Sequence, residues 1–216
     1  MKYNTVIFDL DGTLLDTLED LTDSVNFALS AMKYANRTLK EVRSFVGNGV
    51  RKLIERSVPT GTPVEDIDKT FNYFLEYYNL HNQDKTKPYE GVIDLMYSLK
   101  SKGIKMAIVS NKVHDAVLML QEKFFSEVVE IAIGDMPDME RKPAPDSCFK
   151  ALELLGSTVE EACYVGDSEV DLATAQNAGL DCISVLWGFR DKELLVSQGA
   201  KIFARTPDEV LKEVIG

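Results

Sequence analysis

The sequence predicts an α/β protein in which a parallel sheet carries helices on both faces, with a small all-α segment inserted after the first strand. Three observations predict this architecture: a buried-strand pattern at residues 5–9, helical periodicity from residue 17 to residue 86, and strands alternating with helices after Pro88. Strands that are joined through helices must run parallel. We therefore expect a discontinuous core of residues 1–16 and 87–216 and a helical domain of residues 17–86.

The first strand runs directly into two carboxylates, because the apolar residues 6–8 are followed by Asp9 and Asp11. Burying an ionised carboxylate costs several kcal/mol unless a cation or hydrogen bonds compensate it, so this pattern indicates a cation site. Gly12 then permits a sharp turn at the end of the strand. A hairpin turn is the alternative interpretation of Asp-Gly. A calcium-binding EF-hand is excluded, since its closing position is Asp20 and not Glu.

The segment after Asp16 has a helical period and no convincing strand. Its clearest apolar stripe predicts a helix that packs one of its faces against the rest of the segment. The stripe consists of Ile67, Phe71, Phe74, Leu75 and Tyr78.

After Pro88 the apolar pattern predicts a repeated alternation of helix and strand. Gly103, Gly156 and Gly179 each mark the end of a helix. The expected helices are 92–101, about 116–123, about 146–155 and about 170–178, and the expected strands are 104–109, 128–133, 162–165 and 182–185.

Polar residues collect where the predicted strands end. In open parallel sheets a ligand binds beyond the carboxyl ends of the strands, so these residues should share one crevice. They are Asp9, Asp11, Ser110, Asn111, Lys142, Asp167 and Asp171.

This set of side chains is suited to phosphoryl transfer. Mg²⁺ prefers oxygen ligands and takes one or two carboxylates, which Asp9 and Asp167 supply. Two carboxylates and a phosphate dianion are balanced by Mg²⁺ and Lys142. One aspartate can attack phosphorus, and a second acid, Asp11, can protonate the leaving oxygen and then deprotonate water. Ser110 and Asn111 would donate hydrogen bonds to the phosphoryl oxygens.

These residues resemble the four motifs of the haloacid dehalogenase-like (HAD) phosphatases, in order and spacing across nearly the whole chain. The matching stretches are Asp9-Leu10-Asp11-Gly12-Thr13, Ser110-Asn111-Lys112, Lys142-Pro143, and Gly166-Asp167 with Asp171. The resemblance implies a Rossmann-like core with a helical cap. It also implies Asp9 as the nucleophile, Asp11 as the acid/base, and Mg²⁺ held by Asp9, Asp167 and the main-chain oxygen of Asp11. Ser110, Lys142 and Thr13 would bind the phosphate, and Asp171 would be a supporting acid.

Further stretches are similar to phosphoglycolate phosphatases within that superfamily. They are residues 45–50, 88–92, 142–145 and 187–189. This similarity implies hydrolysis of 2-phosphoglycolate to glycolate and phosphate, with Mg²⁺ as cofactor.

A substrate carboxylate would need a second anion site, and the helical segment offers one. Gly47, Asn48 and Gly49 precede an expected helix of residues 50–56, whose N-terminus would present main-chain N–H groups. Arg51 could bind a carboxylate bidentately, although a solvated surface arginine explains it equally well.

Other functions with the same core stay open at this point. They are a pyrophosphatase, a nucleotidase, a sugar-phosphate phosphatase and a β-phosphoglucomutase-like enzyme. A non-enzymatic receiver-like module also combines Asp, Lys, a hydroxyl and Mg²⁺, but it lacks the DxDGT order and a helical insert of this length.

Composition restricts the partners. The net charge of -11 argues against nucleic acid, and no apolar run suggests a membrane span. Cys148, Cys163 and Cys182 lie far apart in apolar stretches and are expected to be reduced core residues. We expect a cytoplasmic monomer or homodimer that acts on a small-molecule phosphate ester.

Overall fold

The strand that carries the two carboxylates lies inside the sheet, flanked on both sides. The computed structural model describes all residues 1–216, and it contains a six-stranded sheet of order β5-β4-β1-β6-β7-β8 in which every paired strand is parallel. The strands are β1 (Thr5–Phe8), β4 (Lys105–Val113), β5 (Ile131–Asp135), β6 (Ala162–Gly166), β7 (Asp181–Val185) and β8 (Ile202–Ala204). The predicted α/β class is confirmed.

Helices cover both faces of this sheet. They are α5 (Val92–Ser101), α6 (His114–Phe125), α7 (Asp146–Leu155), α8 (Glu169–Ala178), α9 (Lys192–Ser197) and α10 (Pro207–Ile215). Side chains alternate along β1, so Val6 and Phe8 pack in one apolar cluster with α5, α6 and α10, while Ile7 packs in another with α7, α8 and α9.

The chain order around β1 creates the crevice for a ligand. β4 and β5 lie on one side of β1, and the chain then crosses over to β6 on the other side. Such a switch point opens a crevice at the carboxyl ends of the strands. Asp9 and Asp167 directly follow β1 and β6, and Ser110 directly follows Val109, where the regular pairing of β4 with β5 stops.

Two sequence expectations were wrong in detail. The expected strand 128–133 begins only at Ile131, because the N–H groups of Val128 and Val129 donate to the carbonyl of Phe125 in a turn. The expected strand 104–109 continues to Val113. No expectation covered the elements β8, α9 and α10.

By its contacts the chain divides into two compact units, residues 1–15 with 88–216, and residues 16–87. The second unit contains four helices: α1 (Leu18–Ala31), α2 (Leu39–Phe45), α3 (Gly49–Ser57) and α4 (Val64–His81). The chain passes between the units within β2 (Leu15–Asp16) and β3 (Lys87–Pro88).

The predicted packing face of the second unit is present on α4. Phe74 and Tyr78 are buried and stack with their ring centroids 5.1 Å apart, while the other members of the stripe are half-buried. None of the helices has the length and apolar character of a membrane span.

Candidate active site

The first strand delivers Asp9 and Asp11 to the carboxyl edge of the sheet. The N–H of Asp9 donates to the carbonyl of Val165 at 2.9 Å, which continues the pairing of β1 with β6. Gly12 follows with φ of +90°, a conformation that disfavours any side chain, and the chain turns there. The Asp-Gly pair therefore ends a buried parallel strand, and the hairpin interpretation is wrong.

Lys142 lies at the centre of the site. Its Nζ is 2.6 Å from Oδ1 of Asp9, 2.7 Å from Oδ1 of Asp171 and 2.9 Å from the hydroxyl of Tyr164. The ammonium also donates to the carbonyl of Val109 at 3.2 Å. The acceptors around this buried ammonium are thus two carboxylates, one hydroxyl and one main-chain carbonyl of β4.

Asp171 fixes Lys142 and the turn that precedes α8. Its Oδ2 accepts hydrogen bonds from the N–H of Asp167 and from both the N–H and the hydroxyl of Ser168. Ser168 caps the helix in return, by accepting from the N–H of Asp171. Gly166 permits this close approach, because a Cβ at that position would overlap the side chain of Asp171.

Asp167 is held by the loop that follows β7. Its Oδ2 accepts a hydrogen bond of 2.6 Å from the N–H of Phe189, and its Oδ1 lies 3.5 Å from the hydroxyl of Thr13. Gly188 packs so closely that a Cβ there would overlap both Asp167 and the carbonyl of Gly12. The indole N–H of Trp187 donates to the carbonyl of Thr13 at 3.0 Å, which fastens the loop to the turn after β1.

Burial and mutual repulsion perturb these acids. Burial, together with the charge of Asp171, raises the pKa of Asp9 well above its ordinary range, although Lys142 opposes the shift. Burial and the charge of Asp171 also raise the pKa of Asp167 to about 7. Burial raises the pKa of Asp171 as well, but attraction to Lys142 and several hydrogen bonds outweigh it and leave that pKa lowered. The cations and hydrogen bonds around Asp9 and Asp167 therefore do not fully offset the cost of burying their negative charges.

The acidic cluster has the donor chemistry of a magnesium site. Carboxylate oxygens of Asp9, Asp167 and Asp171 lie within 4.8 Å of one another, and all three residues are buried. Hard oxygen donors suit Mg²⁺, and a divalent cation relieves the repulsion that raises the pKa values of Asp9 and Asp167. Both carboxylate oxygens of Asp171 already accept hydrogen bonds, Oδ1 from Lys142 and Oδ2 from Ser168, so Asp9 and Asp167 are the side chains that fit as ligands.

The end of β4 supplies the remaining polar groups. The register between β4 and β5 is irregular between Val109 and Val113, and such irregularities are common beside active sites. Ser110 is buried there, and its Oγ accepts a hydrogen bond from the N–H of Lys112. Asn111 donates from its amide to the carbonyl of Lys142 at 3.0 Å, so it also supports the Lys142 loop.

The expected site residues thus fall into two groups. Eight lie at the carboxyl edge of the sheet in the first unit, namely Asp9, Asp11, Thr13, Ser110, Asn111, Lys142, Asp167 and Asp171. Gly47, Asn48, Gly49 and Arg51 lie in the helical unit, at the start of α3. The guanidinium of Arg51 is paired there with Glu55 and Asp68.

Sequence reasoning gave no role to three groups in the site. Tyr164 donates its hydroxyl to Asp171 at 3.1 Å, and Lys112 contacts Asp11. The N–H of Phe189 contacts Asp167. The polar end of a buried tyrosine on β6 was a usable signal, because such a hydroxyl normally finds a partner. A main-chain N–H leaves no signal in the sequence.

The chain matches a known family of hydrolases over most of its length. The model of the haloacid dehalogenase-like hydrolases matches residues 6–185. The chain therefore belongs to the haloacid dehalogenase-like hydrolase family, and the resemblance drawn from the four motifs is confirmed.

The three free cysteines are all buried, as expected.

Individual relatives agree with this assignment. A phosphoglycolate phosphatase of Mesorhizobium japonicum is 34% identical over 90% of this chain and 87% of that protein. One from Aquifex aeolicus is 31% identical over 85% of each chain. A solved structure from Lactobacillus delbrueckii subsp. bulgaricus, described as a candidate phosphoglycolate phosphatase, is 33% identical, with a TM-score of 0.95 over 99% of both chains.

The packing of Gly188 predicts that Gly188→Ala weakens magnesium binding. The added Cβ displaces Asp167 or Gly12, and overpacking of this kind lowers the free energy of unfolding by about 1–3 kcal/mol. Isothermal titration with Mg²⁺ measures the change in affinity. Gly199→Ala is the matched control, because its backbone has φ of +93° but nothing lies near the new Cβ, so it should lose stability without losing affinity. Wild-type affinity in Gly188→Ala would contradict this role of the loop.

The raised pKa of Asp167 predicts that Mg²⁺-free protein loses stability as the pH rises from 3.8 towards about 7. In this window the folded state retains a proton that the unfolded state releases, so increasing pH favours unfolding. Mg²⁺ binds the deprotonated carboxylate, and its stabilising effect should therefore grow with pH. Thermal melts across this range, with and without Mg²⁺, test the expectation.

Asp167→Asn provides the comparison for this pH dependence. Without Mg²⁺, the melting temperature of the wild type relative to the variant should fall as the pH rises. A constant difference across the range would show that Asp167 does not hold the proton.

Proposed function

We propose that the protein is a Mg²⁺-dependent phosphoric monoester hydrolase that forms a phosphoryl intermediate on Asp9. The observation that carries this proposal is the position of Asp9, a buried carboxylate at the tip of the strand with Lys142 at 2.6 Å. A carboxylate is a suitable covalent nucleophile towards phosphorus. The family membership of the chain supports the same chemistry.

The residues divide the reaction between them. Asp9 attacks the phosphorus atom while Asp11 gives a proton to the departing oxygen, and Asp11 then takes a proton from the water that attacks the phosphoenzyme. Lys142 and Ser110 offset the negative charge of the phosphoryl group, together with Asn111 and Thr13. Asp171 positions Lys142. Mg²⁺, held by Asp9, Asp167 and the main-chain oxygen of Asp11, would supply further charge neutralisation.

We further propose 2-phosphoglycolate as the substrate, with glycolate and phosphate as products. Support comes from the relatives in Mesorhizobium japonicum and Aquifex aeolicus, both of which are named phosphoglycolate phosphatases. We propose that the helical segment of residues 17–86 is a cap that selects the substrate. Residues 47–49 and Arg51 are its candidate contacts with a carboxylate.

A panel of phosphate esters tests the substrate proposal. Phosphate release is measured from phosphoglycolate, pyrophosphate, a nucleoside monophosphate and a hexose phosphate, with Mg²⁺ and with excess EDTA. We expect the highest kcat/KM for phosphoglycolate and no turnover in EDTA. A preference for another ester would overturn the substrate, and full activity in EDTA would overturn the metal dependence.

Asp9→Asn should abolish covalent catalysis. Removing the nucleophile should lower kcat by roughly 10³-fold or more, the scale seen when a covalent nucleophile is removed. Asp11→Asn should still accept a phosphoryl group but release it slowly. Acid quenching followed by peptide mass spectrometry should locate that group on Asp9.

Asp94→Asn is the matched control, since Asp94 is an exposed carboxylate on α5. It should retain wild-type activity. Substantial turnover by pure Asp9→Asn, or a phosphoryl group on another residue, would refute the assignment of the nucleophile.

Arg51→Ala tests whether the cap reads the substrate carboxylate. The expected loss in kcat/KM for phosphoglycolate is about 1.5–3 kcal/mol, the worth of a charged hydrogen bond, with much less effect on p-nitrophenyl phosphate. Glu55 and Asp68 already bind Nε and Nη1 of this guanidinium, so a substrate carboxylate would contact the remaining N–H groups or displace one of these partners.

Lys52→Ala is the control, because Lys52 pairs with the same Glu55. It should leave the ratio of the two substrates unchanged. If Arg51→Ala reduces both substrates equally, Arg51 supports the helical unit and does not select the carboxylate.

A further inference from the structure

Lys112 is a second buried lysine at the carboxyl edge of the sheet, and the reaction described above does not use it. Its side chain is 4% exposed, and its Nζ lies 2.7 Å from Oδ1 of Asp11. The carboxylate of Asp11 is itself only 14% exposed. Each aspartate of the first motif therefore contacts a buried lysine, Lys142 for Asp9 and Lys112 for Asp11.

Stability alone is a weak explanation of this pair. Exchanging a buried ion pair for apolar residues is often neutral or stabilising, because two charges must be desolvated to form the pair. A buried pair is therefore better explained by the geometry that it enforces. Here the enforced geometry is that of Asp11, the proposed acid/base.

The contact is made to one carboxylate oxygen. An ammonium that holds Oδ1 fixes the plane and direction of the carboxyl group, and Oδ2 remains to exchange a proton with the leaving oxygen or with water. Lys112 is anchored in turn, since its N–H donates to Oγ of Ser110 at 3.2 Å on the irregular part of β4.

We propose that Lys112 is a positioning residue that orients Asp11 for proton transfer. The inference rests on the proposed function, because it assigns Asp11 the role of acid/base. Lys112 acts through Asp11, and this role needs no contact between Lys112 and the substrate.

The test compares two leaving groups. An alkyl phosphate such as phosphoglycolate expels a strongly basic alkoxide that needs a proton, whereas p-nitrophenyl phosphate expels a weakly basic phenolate that does not. The parameter kcat/KM reports the steps up to phosphoryl transfer to Asp9. The ratio of kcat/KM for the alkyl phosphate to kcat/KM for p-nitrophenyl phosphate therefore isolates the protonation of the leaving group. Lys112→Met should lower kcat/KM for the alkyl phosphate by about 10²-fold, the scale of general acid catalysis, and for p-nitrophenyl phosphate by no more than about threefold. Lys112→Arg should restore part of the loss.

Lys105→Met is the matched control, because Lys105 lies on the same strand, is exposed, and donates to the carbonyl of Gly156. Its leaving-group ratio should equal that of the wild type. Equal losses on both substrates in Lys112→Met would overturn the inference and would indicate a role in phosphate binding or in stability. If the wild type hydrolyses neither ester, the proposed function itself fails.

The double variant Asp11→Asn with Lys112→Met keeps the test valid if Lys112→Met alone does not fold, because it leaves no unpaired carboxylate. Rapid-quench measurement of the phosphorylation of Asp9 by phosphoglycolate should show the same rate in this variant as in Asp11→Asn alone. A further loss of tenfold or more would show that Lys112 acts independently of Asp11, which contradicts the proposal.

Discussion

The structure of the core depends on keeping four carboxylates together where parallel strands end. Asp9, Asp11, Asp167 and Asp171 would repel one another in a buried site, and two lysines cannot neutralise four acids. Hydrogen bonds and Lys142 satisfy Asp171, whereas Asp9 and Asp167 have raised pKa values because burial and the charge of Asp171 disfavour their ionised forms. The site therefore favours a divalent cation, and the adjacent phosphoryl group of a substrate would add further negative charge to be neutralised. The close packing at Gly166 and Gly188 allows the acids to approach one another at this point.

The fold was predictable wherever a segment follows one simple period. The helices 92–101 and 146–155 have the expected bounds, because a clear apolar face and a glycine or polar stop coincide at their ends. The prediction failed where buried apolar residues do not have the hydrogen bonds of a strand. Val128 and Val129 are buried like strand residues, but their N–H groups donate to the carbonyl of Phe125 in a turn. β8 has three residues, too few to show a period, and α9 has six, fewer than two full turns.

The geometry of the core site was predictable to a greater extent than that of the helical segment. Parallel topology alone places Asp9, Ser110 and Asp167 at one edge, so strand-end residues could be grouped from the sequence. Pairings between side chains could not be foreseen, because they depend on side-chain direction. Lys112 stands in one of the motif stretches, but nothing in the sequence shows that it is buried against Asp11. Arg51 shows the same limit, since its partner Asp68 lies on another helix and no local pattern joins them.

Calorimetric titration of Mg²⁺ in buffers of different ionisation enthalpy, near neutral pH, tests the account of the acidic cluster most directly. If burial keeps Asp167 partly protonated, a divalent cation must displace protons when it binds. The observed heat should then change with the buffer in proportion to the protons released, and Asp167→Asn should release fewer of them. Magnesium binding whose heat is the same in every buffer would contradict it.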